Sequence, residues 1–194
     1  MVITKALRCS RTLTSALISG MLGVGLALSM NPSIAQAEVA SNSQEYVTLS
    51  DHLVALRRAI IGQESSSNFR AVNPYSGALG YGQVMPANVA SWTREALGHS
   101  ISQADFLNSP DIQLQVIDYK LNQYWQDAWA TSGGDVTIAI RQVASRWYSG
   151  NPQNYTSTAP EFYAGRRYPS IAEYSFSILQ RYVAHVRGMR SYTY

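Results

Sequence analysis

Glu64 is the side chain in this sequence best placed to move a proton. It follows Leu53, Leu56 and Ile60, an apolar stripe at helical spacing. At roughly 100° per residue, Glu64 projects only about 40° from Ile60 and about 20° from Leu53. A carboxyl group at the end of such a stripe loses water, and loss of water disfavours its anion. A carboxyl whose pKa rises toward neutrality is what a general acid requires. Periodicity by itself favours a plainer reading. Arg57 falls on the same face, and most Glu residues at helix ends are ordinary solvated groups.

The other residue types that carry chemistry do not group. His52, His99 and His185 are far apart and form no metal-ligand spacing, so no metal is expected. The only cysteine, Cys9, lies in a basic N-terminal stretch. If that stretch is removed, cysteine nucleophiles, Cys-ligated zinc and disulfides are excluded together. There is no Gly-x-Ser-x-Gly elbow. The order of Gly77, Gly80 and Gly82 is neither a phosphate loop nor a dinucleotide fingerprint, so no cofactor is expected.

The residues after Glu64 change the weighing. Gln63-Glu64-Ser65-Ser66-Ser67-Asn68-Phe69-Arg70 leads into Asn73-Pro74-Tyr75-Ser76-Gly77-Ala78-Leu79-Gly80-Tyr81-Gly82-Gln83-Val84-Met85-Pro86. This run resembles the soluble lytic transglycosylase family, relatives of goose-type lysozyme. In that family Glu-Ser ends a helix. An Asn-Pro or Ser-Pro turn with Gly-Ala-x-Gly follows, then Gly-x-x-Gln-x-x-Pro. Further on, Trp147-Tyr148-Ser149-Gly150 resembles the third family motif, and Glu173-Tyr174 resembles the closing Tyr motif. The resemblance spans about residues 50–186. It has departures: Tyr81-Gly82 stand where the family often has Leu-Met, and Ser149 replaces a frequent Asn. The loop 150–168 has no close counterpart in the short members. These positions concern glycan contacts more than the chemistry.

The resemblance implies a lysozyme-like helical domain acting on peptidoglycan glycan strands, with Glu64 as the catalytic acid/base and no cofactor. The reaction implied is cleavage of the MurNAc-GlcNAc β-1,4 bond with formation of 1,6-anhydroMurNAc. Ser65 and Gln83 would bond glycan amides or hydroxyls, or orient the Glu64 carboxyl. Tyr148 would set its hydroxyl against Glu64. Tyr81 and Ser149 would meet the substrate, with Tyr75 and Tyr155 as weaker candidates. Trp147 reads as core by helical spacing.

Breaking a glycosidic bond needs a proton on the departing oxygen and a stabilised oxocarbenium-like centre. Between Asp51 and Glu95, Glu64 is the only acidic residue. A rise of about 1.5 Å per residue puts Asp51 roughly 20 Å away along the helix. That is beyond the about 6.5–9.5 Å used by inverting two-carboxylate hydrolases. One carboxylate suffices if the muramoyl 6-hydroxyl, tethered to the reacting ring, attacks in place of water. A distant acid such as Asp105 or Asp111 would instead permit a hydrolytic lysozyme or chitinase on the same fold. A third reading is a non-catalytic glycan-binding wall module. The joint presence of Glu64, Ser65, Gln83 and Tyr148 argues against it, because a binder needs only the groove.

These residues need a scaffold, and the first part of the chain does not supply it. Residues 1–37 read as a signal peptide: Lys5, Arg8 and Arg11, then an uncharged stretch from Leu13 to Met30, then Ala35-Gln36-Ala37. Thr14, Ser15, Ser19, Ser29 and three glycines make that stretch a weak membrane anchor. Cleavage would start the mature chain at Glu38, exported to the periplasm or the extracellular wall with no stable membrane span. It would leave 157 residues with twelve basic and twelve acidic side chains. A net charge near zero gives no sign of a nucleic-acid partner, which would need a basic patch, and none is expected. Residues 38–49 read as a flexible lead-in and 50–194 as one mainly α domain, a monomer.

The expected helices follow from caps and stripes. Ser50 opens one to about Gln63, and Pro86 opens another that ends before Gly98. Ser109-Pro110-Asp111 starts a long one through Leu114, Ile117, Leu121 and Trp125 to Gly133-Gly134. Asp135 caps the next, and Ser170-x-x-Glu173 is a capping box for the last. Irregular loops are expected at 65–85 and 149–168.

Overall fold

The computed structural model describes residues 47–163 and 165–190. The leader 1–37 and most of the lead-in 38–49 lie outside the described residues. The described chain is mainly α. Its helices are α1 (Leu49–Ser65), α2 (Pro86–Leu97), α3 (Gln103–Asn108), α4 (Pro110–Thr131), α5 (Val136–Ser149) and α6 (Ile171–Arg190).

The caps explain where these helices begin. The cap of α1 is Thr48 rather than Ser50. Its hydroxyl accepts from the Asp51 amide at 3.2 Å, and the Asp51 carboxylate accepts from the Thr48 amide at 2.9 Å. Ser50 has Leu53 three residues on and cannot form that reciprocal pair. Asp135 accepts from the Ile138 amide at 2.9 Å and starts α5. Ser170 and Glu173 form the expected box before α6, with bonds of 2.8 and 3.2 Å. The short α3, capped by Ser102, was not legible, because six residues carry too little periodicity.

Two clusters make the core. The larger joins Leu56 and Ile60 of α1, Ile117 and Leu121 of α4, Ile140 and Val143 of α5, and Ile178 of α6, all fully buried. Burying each such side chain contributes about 1.5–3 kcal/mol relative to exposure. The smaller cluster joins Leu79 and Val84 of the long loop to Val89 of α2, Phe106 of α3 and Val116 of α4. The loop between α1 and α2 is thus packed, not loose.

The stretch 149–168 is not wholly irregular. It holds a short 3₁₀ helix, Pro152–Thr156, and an antiparallel hairpin, β1 (Glu161–Tyr163) with β2 (Arg166–Tyr168). Phe162 faces Arg167 across the pair. Strands of three residues are too short to show a period of two. Among the described residues no helix is long and apolar enough to cross a membrane.

Candidate active site

Glu64 is the penultimate residue of α1. The helix stops because Ser66 and Ser67 adopt left-handed backbone, with φ of 51° and 65°. The chain then runs through 68–85 in a tight fold in which Val72 bridges Leu79 and Leu79 bridges Val84. Fully buried Gln113 of α4 holds this segment. Its side-chain oxygen accepts from the Tyr81 amide at 2.8 Å, and its nitrogen donates to the Phe69 and Phe106 carbonyls, both at 3.0 Å. Gly80 makes room for it: a Cβ there would lie 2.1 Å from the Gln113 oxygen, on a backbone with φ of 68°. Gly82 is also constrained, since a Cβ would sit 2.8 Å from the Trp147 ring. The Trp147 indole donates to the Gly82 carbonyl at 3.2 Å and ties the loop to α5.

These elements surround a groove of about 470 Å³, within the range of small-molecule and glycan sites. Glu64, Asn73, Ser76, Gln83 and Met85 line it from α1 and the long loop. Trp147, Tyr148 and Ser149 line it from α5. The hairpin contributes Glu161, Phe162, Tyr163 and Tyr168. Arg166 of the hairpin lies over the Tyr75 ring, 3.6 Å from its centre, and so joins the hairpin to the long loop.

Burial is the main influence on Glu64 and pushes its carboxyl up to about 7. A smaller opposite effect comes from Tyr174 of α6, whose hydroxyl donates to Glu64 Oε1. Tyr174 is itself 4% exposed, and burial raises its hydroxyl well above the usual phenol value. The Tyr174 ring stacks on Tyr148 at 4.3 Å and 10°. Burial, and then the charges of Glu161 and Glu64, push Tyr148 up to about 12. The group beside Glu64 is therefore a proton-holding phenol. Glu64 itself is poised to donate and recover a proton near neutral pH.

The residues expected at the site divide. Glu64, Gln83, Tyr148 and Ser149 line the groove. Gln83 does so in a left-handed conformation, φ 49°, with its amide donating to the Gly80 carbonyl at 3.1 Å. A non-glycine residue held there is strained, which the surrounding bonds must sustain. Ser149 spends its hydroxyl on the Ser145 carbonyl at 2.8 Å.

Three expectations are corrected. The hydroxyl on Glu64 is that of Tyr174; the Tyr148 hydroxyl donates to the Pro169 carbonyl at 3.0 Å. Ser65 turns to the Tyr81 carbonyl at 2.9 Å and anchors the loop, being no part of the groove lining. The Tyr81 ring packs on the core beside Phe69, at 6.0 Å, and also leaves the groove. Trp147 packs on the core as expected and also lines the groove. Of the weaker candidates, Tyr75 lies under Arg166 and Tyr155 under Arg141, both outside the lining.

Neither distant acid reaches the groove. Asp105 accepts from Ser102 at 2.6 Å and caps α3, and Asp111 sits in the first turn of α4. The second carboxyl of the lining is Glu161. Sequence reasoning missed Tyr174, Gln113 and Glu161. Tyr174 carried one signal, the Glu173-Tyr174 motif, and was given no role from it. Gln113 lies four residues before Ile117 on the buried stripe of α4, the signal of a polar residue built into a core. Glu161 carried none.

Among the described residues no group of three or more His, Cys, Asp or Glu could hold a metal ion. Comparison with known proteins returns no match to a family model, a curated protein or a solved structure.

Proposed function

We propose that this protein is an exported peptidoglycan lytic transglycosylase that cleaves the MurNAc-GlcNAc β-1,4 bond and needs no cofactor. The observation that carries the reading is Glu64: a carboxyl withdrawn from water, titrating near 7, bonded by a buried tyrosine and lining an aromatic groove. The motif resemblance supplies the substrate class and the lysozyme-like assignment, and the leader supplies export.

Glu64 protonates the glycosidic oxygen, and the bond to the anomeric carbon breaks. Its carboxylate then takes the proton of the muramoyl 6-hydroxyl as that oxygen closes onto the same carbon. Proximity favours this attack, since nucleophile and electrophile share one ring. Trp147 and Tyr148 offer aromatic faces to the sugar C–H surfaces.

Digestion of purified peptidoglycan tests the reading. Borohydride treatment and mass analysis should find ends that resist reduction, two hydrogens and one oxygen lighter than hydrolysed ends. Glu64→Gln keeps shape but has no acid proton, and should lower cleavage by about 10²–10⁴-fold or more. Glycan binding without cleavage by the wild type would make the protein a wall-binding module instead.

A further inference from the structure

The hairpin adds something the proposed reaction does not use. Glu161 lines the same groove as Glu64. Among the described residues its carboxyl makes no ion pair and no side-chain hydrogen bond. Of the hairpin's cations, Arg166 lies over the Tyr75 ring. After burial, the charge of Glu161 acts on Tyr148 ahead of that of Glu64. Tyr148 stacks on Tyr174, and Tyr174 holds Glu64. The two carboxyls line one groove with Tyr148 and do not bond each other. Their surroundings differ in the way an acid and a base require. Glu64 is withdrawn from water and keeps its proton, whereas Glu161 stands half-buried on the groove wall, open to water.

We propose that Glu161 is a second catalytic carboxylate, which activates water in the groove and opens a hydrolytic branch beside the intramolecular one. The proposal rests on Glu64 being the glycan acid. In this branch Glu64 gives its proton to the departing oxygen, and the glycosidic bond breaks. A water oxygen bonds to the anomeric carbon, and its proton passes to Glu161. One water is consumed, and both carboxyls return to their starting states by exchange with solvent. Glu161 therefore sets the ratio of reducible to anhydro ends.

The test is that ratio, measured on peptidoglycan digested by the mature protein and its Glu161→Gln variant. The wild type should leave both kinds of end. Glu161→Gln should lower the ratio of reducible to anhydro ends at least tenfold, consistent with loss of a general base. The anhydro product reports that the variant is folded. Sodium azide, a nucleophile that needs no base, should restore cleavage through the second branch in Glu161→Ala as a glycosyl azide. An unchanged ratio in Glu161→Gln, an equal loss of both products, or only anhydro ends from the wild type would overturn the role of Glu161 and leave that of Glu64 standing. No cleavage by the wild type would overturn both.

Discussion

Glu64 and Tyr174 divide one task. Burial keeps the proton on Glu64, and the Tyr174 hydroxyl partly offsets it by favouring the anion. The proposed first step requires protonated Glu64, so kcat/KM should fall about tenfold per pH unit above about 7. Tyr174→Phe removes the group that favours the anion. The falling limb should then move to higher pH, and turnover should drop because the carboxyl is no longer held. The ring and its stack on Tyr148 remain, so stability should change by only about 0.5–1.5 kcal/mol. A pH–rate profile checks this, and an unmoved limb would assign Tyr174 to packing alone. The same raised pKa acts on stability. Between the ordinary carboxyl value and about 7 the unfolded chain has lost a proton that the folded chain keeps. Stability therefore falls as pH rises through that window and levels off above it. Glu64→Gln removes the effect, so the variant should gain on the wild type by up to about 3 kcal/mol between pH 4.5 and 7. His52 and His185, both lowered by burial, act in the opposite sense, so the difference between the two proteins isolates Glu64 in denaturant titrations.

At the level of elements, the glycine-rich stretch works through what its missing side chains admit. Gln113 can reach Phe69 and Tyr81 of the long loop and Phe106 of α3 because Gly80 offers no Cβ, and Trp147 can reach the Gly82 carbonyl because Gly82 has none. Gly80→Ala would force a methyl to 2.1 Å from the Gln113 oxygen on a left-handed backbone. It should cost about 1–3 kcal/mol from the backbone alone, with more from the displaced amide. Thermal melts should show the loss, and activity should fall with it, because Gln83 stands three residues away on the same turn. A variant that melts and cleaves like the wild type would mean that the loop can shift without cost.

Over the whole molecule, the groove exists only where segments far apart in sequence meet. The long loop and the hairpin are joined across it by Arg166 and Tyr75. Phe162 and Tyr163 line the groove yet are 68% and 49% exposed, more than packing requires. Such exposure suits a surface that a glycan covers. Replacing both by Ala should change stability by no more than about 0.5 kcal/mol each. Glycan binding should weaken about tenfold, if each ring contributes about 0.5–1.5 kcal/mol to the bound sugar. Calorimetry with a soluble glycan fragment separates the two effects, and unchanged affinity would place the binding surface elsewhere.

The helices were legible because their causes are local. Pro86, Asp135 and Ser170 with Glu173 mark starts, and stripes such as Leu114, Ile117, Leu121 and Trp125 mark buried faces, all within a few turns of chain. Glu64 was legible only in part: its stripe pointed toward burial, but periodicity by itself favoured a solvated Glu, and the motif that follows it carried the assignment. The partners of Glu64 were not. Tyr148 and Tyr174 are both tyrosines near α5 and α6, and only the crossing of those helices with α1 decides which hydroxyl reaches the carboxyl. Local spacing found no second acid near Glu64, and along the helix there is none. Glu161, about a hundred residues later, enters the groove because a hairpin too short to show a strand pattern folds against it. Caps, turns and apolar faces are properties of neighbouring residues. The proton network and the groove are properties of distances between helices and loops, which only tertiary packing determines.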